Sequence, residues 1–443
     1  MPDPRILRDH YGRRYRVGES DVDLLGKPRS WMSWLSWAAM FAAGIQQYGF
    51  GVVAPVLMAT YGWTFPEVVV SFALWTVCQA CVVYPVARLR ERGMFPPAVA
   101  VIIGGVLCST GMFTLGHAST LLTMFIGYSV LGGIGTGVVY ATCVGTVMNW
   151  FPDRVPARVG AVSGAFAYGS VVFVLAGGFW LTEGTRRPIL DVVAVAVLMM
   201  IASTAVLLRD PPPRWWPERP DPRVWAADKV RNRGVAVNRP ALREYRPSEV
   251  LRCPTAVAMY LIVVLAAAVL LFDVAYLATF VAAQGGGPVL AAVALAVLAG
   301  VTGAGRVLLG GLSDRLGRRR ILRLALATGG IAQFVLLYAG HNAAGLVAGA
   351  ALAGLGNGSC YSLLVSLVRD YFGEESALQN FGVLYSAKAV GALLGVGLAA
   401  FVVSTHGYLG AFAAAGVLSV LGALLGGRLS QPGRPKSLLP AIR

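Results

Sequence analysis

Twelve long apolar runs dominate this chain, at residues 31–60, 65–87, 95–115, 119–149, 156–181, 189–208, 254–283, 288–312, 320–340, 343–372, 376–404 and 408–427. Most reach the ~20 residues that a helix needs to cross ~30 Å of hydrocarbon. A soluble fold of 443 residues cannot bury that much apolar side chain, and only 13% of the residues are charged. In lipid every backbone N–H and C=O must be satisfied within the segment, which leaves helices as the answer for runs of this length. The scattered Gly and Pro are tolerated because neighbouring helices re-satisfy freed backbone groups. The expected fold is an all-α membrane protein of twelve transmembrane helices, with the lipid bilayer as its solvent.

The net charge of +16 raises the question of a nucleic-acid partner, and its placement answers it. With both termini cytoplasmic, the inner segments hold 33 of the 37 Lys and Arg, whereas the external loops hold only Arg186 and Arg187. Arg306 and Lys388 lie inside apolar runs. This is the positive-inside asymmetry that orients membrane proteins, so the basic balance reports topology in a cell (inner) membrane and calls for no nucleic acid. The one long polar interior stretch, residues 209–253, is too Pro-rich for a continuous helix and reads as a cytoplasmic linker. It divides the chain into an N-terminal tail (1–30), a six-helix bundle (31–208), the linker, a second six-helix bundle (254–427) and a C-terminal tail (428–443). The first 30 residues carry no apolar signal core, so no cleaved leader is expected. Cys78, Cys81, Cys108, Cys143 and Cys360 lie in apolar runs, and the four histidines are scattered. Neither pattern implies a disulfide framework, a metal site, a cofactor or catalytic residues.

The two bundles repeat. LGGIGTGVVYATCVGTVMNWF (131–151) aligns with LAGLGNGSCYSLLVSLVRDYF (352–372) at a constant offset that pairs Gly135 with Gly356, Tyr140 with Tyr361 and Phe151 with Phe372. Repeated six-helix halves are the arrangement in which a site forms between the repeats near the midplane and one half rocks against the other. The loop after helix eight reads Gly310-Gly311-Leu312-Ser313-Asp314-Arg315-Leu316-Gly317-Arg318-Arg319. It resembles the G-x-x-x-D-R-x-G-R-R signature of the major facilitator superfamily. The first-half copy, residues 83–95, is worn down and keeps Arg92-Gly93 with Glu91 in place of an aspartate. Gly62-Trp63 before helix two, Trp150-Phe151-Pro152-Asp153-Arg154 after helix four and Tyr385-x-x-Lys388 in helix eleven narrow the resemblance to the oxalate/formate antiporter family, relatives of the monocarboxylate porters.

Arg306 and Lys388 are the residues the lipid least explains. A cation at the bilayer centre costs about 2.5–3.5 kcal/mol on insertion scales. Arg306 is near enough to the inner end of its helix to snorkel, but Lys388, one of only four lysines, is twelve residues into helix eleven. Two such cations call for an anion. The resemblance implies the same, because that family binds its carboxylate with an arginine in helix eight and a lysine in helix eleven. The candidate lining is Gln47 and Tyr48 in helix one, Tyr140, Tyr168, Tyr361 and Tyr385, and Asn357, which stands where oxalate carriers of the family are expected to have an aromatic. Asp273 in helix seven has three readings: a proton-coupling group, a counter-ion to Arg306 or Lys388, or a bland residue near the outer surface. In the motif loop, Gly310 and Gly317 allow close approach and a tight turn, Asp314 accepts bonds that must break as the inner side opens, and Arg315 and Arg318 supply the positive partners.

The expected function is secondary transport of small organic anions such as oxalate, formate or other mono- and dicarboxylates, by alternating access and exchange, as a monomer. A proton-coupled monocarboxylate symporter is the alternative. Those carriers place an acid four residues before the helix-eight arginine, where this chain has Thr302. Drug efflux needs no paired cations, and a sensor needs a signalling domain larger than this 45-residue linker.

Overall fold

The computed structural model describes residues 5–230, 232–340 and 342–434; His341, one of the scattered histidines, and residues 435–443 of the C-terminal tail lie outside them. Ten helices in the described residues are long and apolar enough to cross a membrane. A bent pair, Ser30–Tyr48 and Phe50–Tyr61, meets at Gly49 with a 43° bend and makes one more span, the first. Spans two to ten are Phe65–Glu91, Pro97–His117, Leu121–Trp150, Val155–Trp180, Arg186–Ala205, Pro254–Ala283, Pro288–Leu316, Arg318–Ala339 and Ala343–Phe372. The last helical run, Ala377–Arg428, has 52 residues. As one straight helix it would measure about 78 Å, more than twice the hydrocarbon thickness. It breaks at Gly407, whose φ of 66° only glycine adopts freely, and so supplies spans eleven and twelve.

Glycine sets how close the spans come. A Cβ on Gly44 of span one would stand 1.7 Å from the carbonyl oxygen of Phe166 in span five, and one on Gly395 of span eleven 1.9 Å from that of Ala268 in span seven. Such backbone-to-backbone crossings are the general solution in membranes, where lipid supplies no hydrophobic force between helices. The two halves touch at both ends of the molecule. At the end bearing the tails and linker, the Glu91 carboxylate accepts from the backbone N–H groups of Leu378 (3.0 Å) and Gln379 (3.2 Å), capping the start of span eleven. At the opposite end the Phe65 ring meets Tyr276 edge-on at 5.0 Å.

The N-terminal tail is more structured than a helical membrane fold requires. Arg5–Arg8 (β1) and Arg14–Val17 (β2) pair antiparallel, turning through Gly12 at φ 79°. A lone hairpin is marginal in water, and this one is anchored. Arg16 exchanges backbone bonds with linker residues Arg214 (2.8 Å) and Trp216 (2.9 Å). The Tyr15 ring packs on Trp216 at 4.7 Å. Glu374, in the loop between spans ten and eleven, accepts from Arg13 (2.6 Å) and Tyr15 (3.0 Å) and pairs with Arg369 at 2.8 Å. Burial alone would raise the Glu374 carboxyl, but the Arg13 and Arg369 guanidinium groups outweigh it and hold the group below the usual carboxylate range. A lowered value means the strap contributes above the ordinary value of about 4 and is lost only as pH falls through the lowered one, so it persists at neutral pH. The linker forms three short helices, Pro222–Ala227, Arg233–Val237 and Pro247–Val250, as its prolines dictate.

Candidate functional site

Both helix-eight and helix-eleven cations lie deep between the halves, 2% and 1% exposed. Arg306 donates from Nη1 to the backbone oxygen of Ser163 in span five (2.6 Å), from Nη2 to the Tyr48 hydroxyl in span one (3.0 Å) and from Nε to the backbone oxygen of Gly358 in span ten (2.9 Å). The last acceptor lies in the 3₁₀ turn Asn357–Ser359, where span ten departs from the regular α ladder. Gly164 and Gly303 let spans five and eight close on each other there, since a Cβ on either would come within 2.7 Å of the other's carbonyl oxygen.

Lys388 donates from Nζ to the amide oxygens of Gln47 in span one (2.6 Å) and Gln79 in span two (2.9 Å), as an ammonium does. Three aromatic rings cup the same nitrogen, Trp75 at 5.8 Å, Tyr361 at 5.7 Å and Tyr385 at 5.6 Å. The Arg306 guanidinium stands 5.3 Å from the Tyr361 ring centroid, so both cations contact this one ring. Tyr385 accepts from Gln79 Nε2 at 3.1 Å and stacks on Tyr140 at 5.1 Å. The Tyr361 hydroxyl and Gln47 Nε2 are buried without a hydrogen-bond partner among the described residues.

Among the described residues, neither cation has a carboxylate partner: every acceptor on Arg306 and Lys388 is neutral. Neutral acceptors relieve part of the desolvation cost of a buried charge but supply no counter-charge. The arrangement can hold a small anion between a bidentate donor and a point charge, with unpaired hydroxyl and amide donors beside it.

The expected lining divides on this geometry. Tyr48, Gln47, Tyr140, Tyr361 and Tyr385 converge with the cations. Asn357 does not. Its side chain turns to spans nine and twelve, accepting from Ser419 at 2.9 Å and filling the space over Gly329. Tyr168 does not either; it is half-buried and accepts from Trp37 at 2.5 Å. Asp273 is neither near an outer surface nor a counter-ion. It is fully buried, and its one hydrogen bond in the described residues comes from Gln333 in span nine, at 3.0 Å. Gln79 and Trp75 were missed, although Gln79 is the only amide in its apolar run and carried the signal of an unexplained buried polar group. The motif is not a loop as expected: Gly310–Leu316 continue span eight and Arg318 already opens span nine, so Gly317 alone makes the turn, at φ 92°, and Gly310 passes close to Pro156, a Cβ there standing 3.2 Å from its carbonyl. Arg318 bonds Asp314 at 3.0 Å and also Asp370 at the end of span ten, a partner not expected from the motif. Arg315 is exposed.

The remaining reading of Asp273 is a proton-coupling group, and exchange without a coupled proton leaves it no role in transport. Asp273→Asn keeps an oxygen for Gln333, and the variant is expected to transport within about twofold of the parent, a change below ~0.5 kcal/mol. Initial-rate uptake checks this; a loss as deep as that of an Arg306 variant would return Asp273 to the transport machinery.

The sequence profile of the Major Facilitator Superfamily matches residues 36–344 and 294–441, most of the chain. The chain belongs to the major facilitator superfamily. It is therefore a transporter and not an enzyme. Its relatives agree on that level. An uncharacterized MFS-type transporter of Escherichia coli (strain K12), YhjX, is 24% identical over 374 residues, 81% of this chain and 86% of that protein. The oxalate:formate antiporter of Oxalobacter formigenes is 23% identical over 385 residues, 85% of each. Human monocarboxylate transporter 11 is 30% identical over 146 residues, 30% of this chain and 29% of that transporter.

Proposed function

We propose that this transporter exchanges small organic anions, with doubly charged carboxylates such as oxalate favoured, across a cell membrane in which both termini face the cytoplasm. One observation carries the reading: two fully buried cations from different spans contact the same aromatic ring, Tyr361, and have only neutral partners among the described residues. With Asp273 turned away, nothing reduces the site from +2 to +1, and a dianion matches that charge better than a monoanion. The similarity to an antiporter of oxalate and formate supports the substrate class. Exchange follows from the empty site, since two cations left without a counter-charge resist the sealed form through which the carrier must pass. The transporter is expected to work as a monomer, because the whole site is built within one chain.

Proton symport is the competing mechanism: the position one turn before Arg306 is Thr302, whose hydroxyl is buried without a partner among the described residues, so the acid that symport needs would have to be the buried Asp273. The test is uptake of labelled oxalate into proteoliposomes with and without internal carboxylate, at equal pH and under a pH gradient. Stimulation by internal carboxylate at equal pH supports exchange; uptake that needs only the gradient overturns it.

A further inference from the structure

Spans five, eight and ten, which supply Ser163, Arg306 and Tyr361 to the centre, also bound a half-open chamber of about 740 Å³ at the linker end of the molecule. Its wall on span eight is Gly311, Asp314 and Arg315, and Arg315 lies nine residues, about 13 Å, beyond Arg306 along the helix. On span ten the wall begins at Ser366, five residues past Tyr361, and its buried hydroxyl has no hydrogen-bond partner among the described residues. The linker, with Trp216, Trp225 and Arg233, forms the far side. The volume is that of a small-ligand pocket.

The charges on the wall do not cancel. Glu374 is held by Arg13 and Arg369. Asp314 and Asp370 share Arg318. Asp153 is bound through both oxygens by Arg29, with Arg154 at 3.5 Å from one of them. Arg233 and Arg315 also face the chamber, and no carboxylate among the described residues pairs with either. Both guanidinium groups are permanently charged and suited to gripping a carboxylate through two bonds.

We infer that this chamber is a second anion station on the transport path, where the carboxylate is held by Arg233 and Arg315 between the cytoplasm and the central pair of cations. It rests on the reading of the central site as an organic-anion site. A station of this kind raises the local anion concentration below the inner gate, and it places the linker in the path rather than beside it. The Arg318 pairs with Asp314 and Asp370 form part of the chamber wall, so an anion at Arg315 sits where it competes for that guanidinium as the gate opens.

The test uses the full chain with the centre disabled, the Arg306→Ala/Lys388→Ala double variant, titrated calorimetrically with oxalate in detergent. One equivalent is expected to bind, about tenfold or more weakened by Arg233→Ala or Arg315→Ala, and largely restored by the corresponding change to Lys, which keeps the charge. No binding by the double variant, or binding unaffected by Arg233→Ala and Arg315→Ala, overturns the station. The parent protein is expected to bind one equivalent more than the double variant. Equal stoichiometry would remove the central site and leave the station standing.

Discussion

Arg306→Ala and Lys388→Ala are each expected to lower carboxylate transport at least a hundredfold while leaving the folded protein as stable as before. The Arg306 guanidinium can give a carboxylate two charge-assisted hydrogen bonds, each worth roughly 1.5–3 kcal/mol. Losing both is a factor of about 10² to 10⁴. Lys388 acts by charge: at ~4 Å and an effective dielectric near 20, its attraction for a carboxylate is about 4 kcal/mol before desolvation is counted. Stability is expected to stay level. Each cation is buried at a cost of about 2.5–3.5 kcal/mol on insertion scales, without a carboxylate partner, and removing it offsets the cavity its side chain leaves. A residue kept for structure would show the reverse pattern, with stability falling first. Thermal unfolding in detergent beside initial-rate uptake checks both signs. Arg306→Lys is the informative intermediate, since it keeps the charge, loses the fork and is expected to recover only part of the rate. Normal transport by either alanine variant removes that residue from the site.

Proteoliposomes preloaded with oxalate are expected to take up labelled oxalate at least tenfold faster than empty ones at equal pH. The physical reason lies in what must pass through the sealed arrangement between the two halves. Loaded with a dianion, the centre is neutral. Empty, it carries +2 among three aromatic rings and neutral amides. Two uncompensated cations cost about 5–7 kcal/mol together, and even a fraction of that slows the empty return by the required tenfold, since 1.4 kcal/mol suffices. Equal rates from loaded and empty vesicles would mean that the empty carrier returns freely, and the exchange mechanism would fall while the anion site remained.

Much of the fold was legible because lipid imposes so strict a rule. Runs of ~20 apolar residues have one solution, and the signature Gly310–Arg319 marks the turn between spans eight and nine. The site was legible through its expense: Arg306 and Lys388 are conspicuous in apolar runs whatever surrounds them. What the sequence hides is azimuth. Asn357 lies four residues before Tyr361, the spacing of one helix face, yet it turns to Ser419. The 3₁₀ turn at Asn357–Ser359 advances by about 120° per residue instead of about 100°, and so swings Asn357 off the face that Tyr361 occupies. Asp273 shows the same limit. Its partner Gln333 is sixty residues away on span nine, and no spacing within span seven tells which neighbour it meets. The N-terminal hairpin was hidden for another reason: a two-stranded ribbon has little stability of its own, and its anchors, Trp216 and Glu374, lie in distant parts of the chain.

Charge matching at the centre is tested most directly by equilibrium competition on the purified transporter among oxalate, formate and oxamide, an uncharged molecule of nearly the same shape as oxalate. The expected order is oxalate first, formate at least tenfold weaker and oxamide without measurable binding, with the oxalate preference reduced in Arg306→Ala and in Lys388→Ala. Oxamide competing as well as oxalate would contradict the account, because the two buried cations would then have no part in choosing what the site holds.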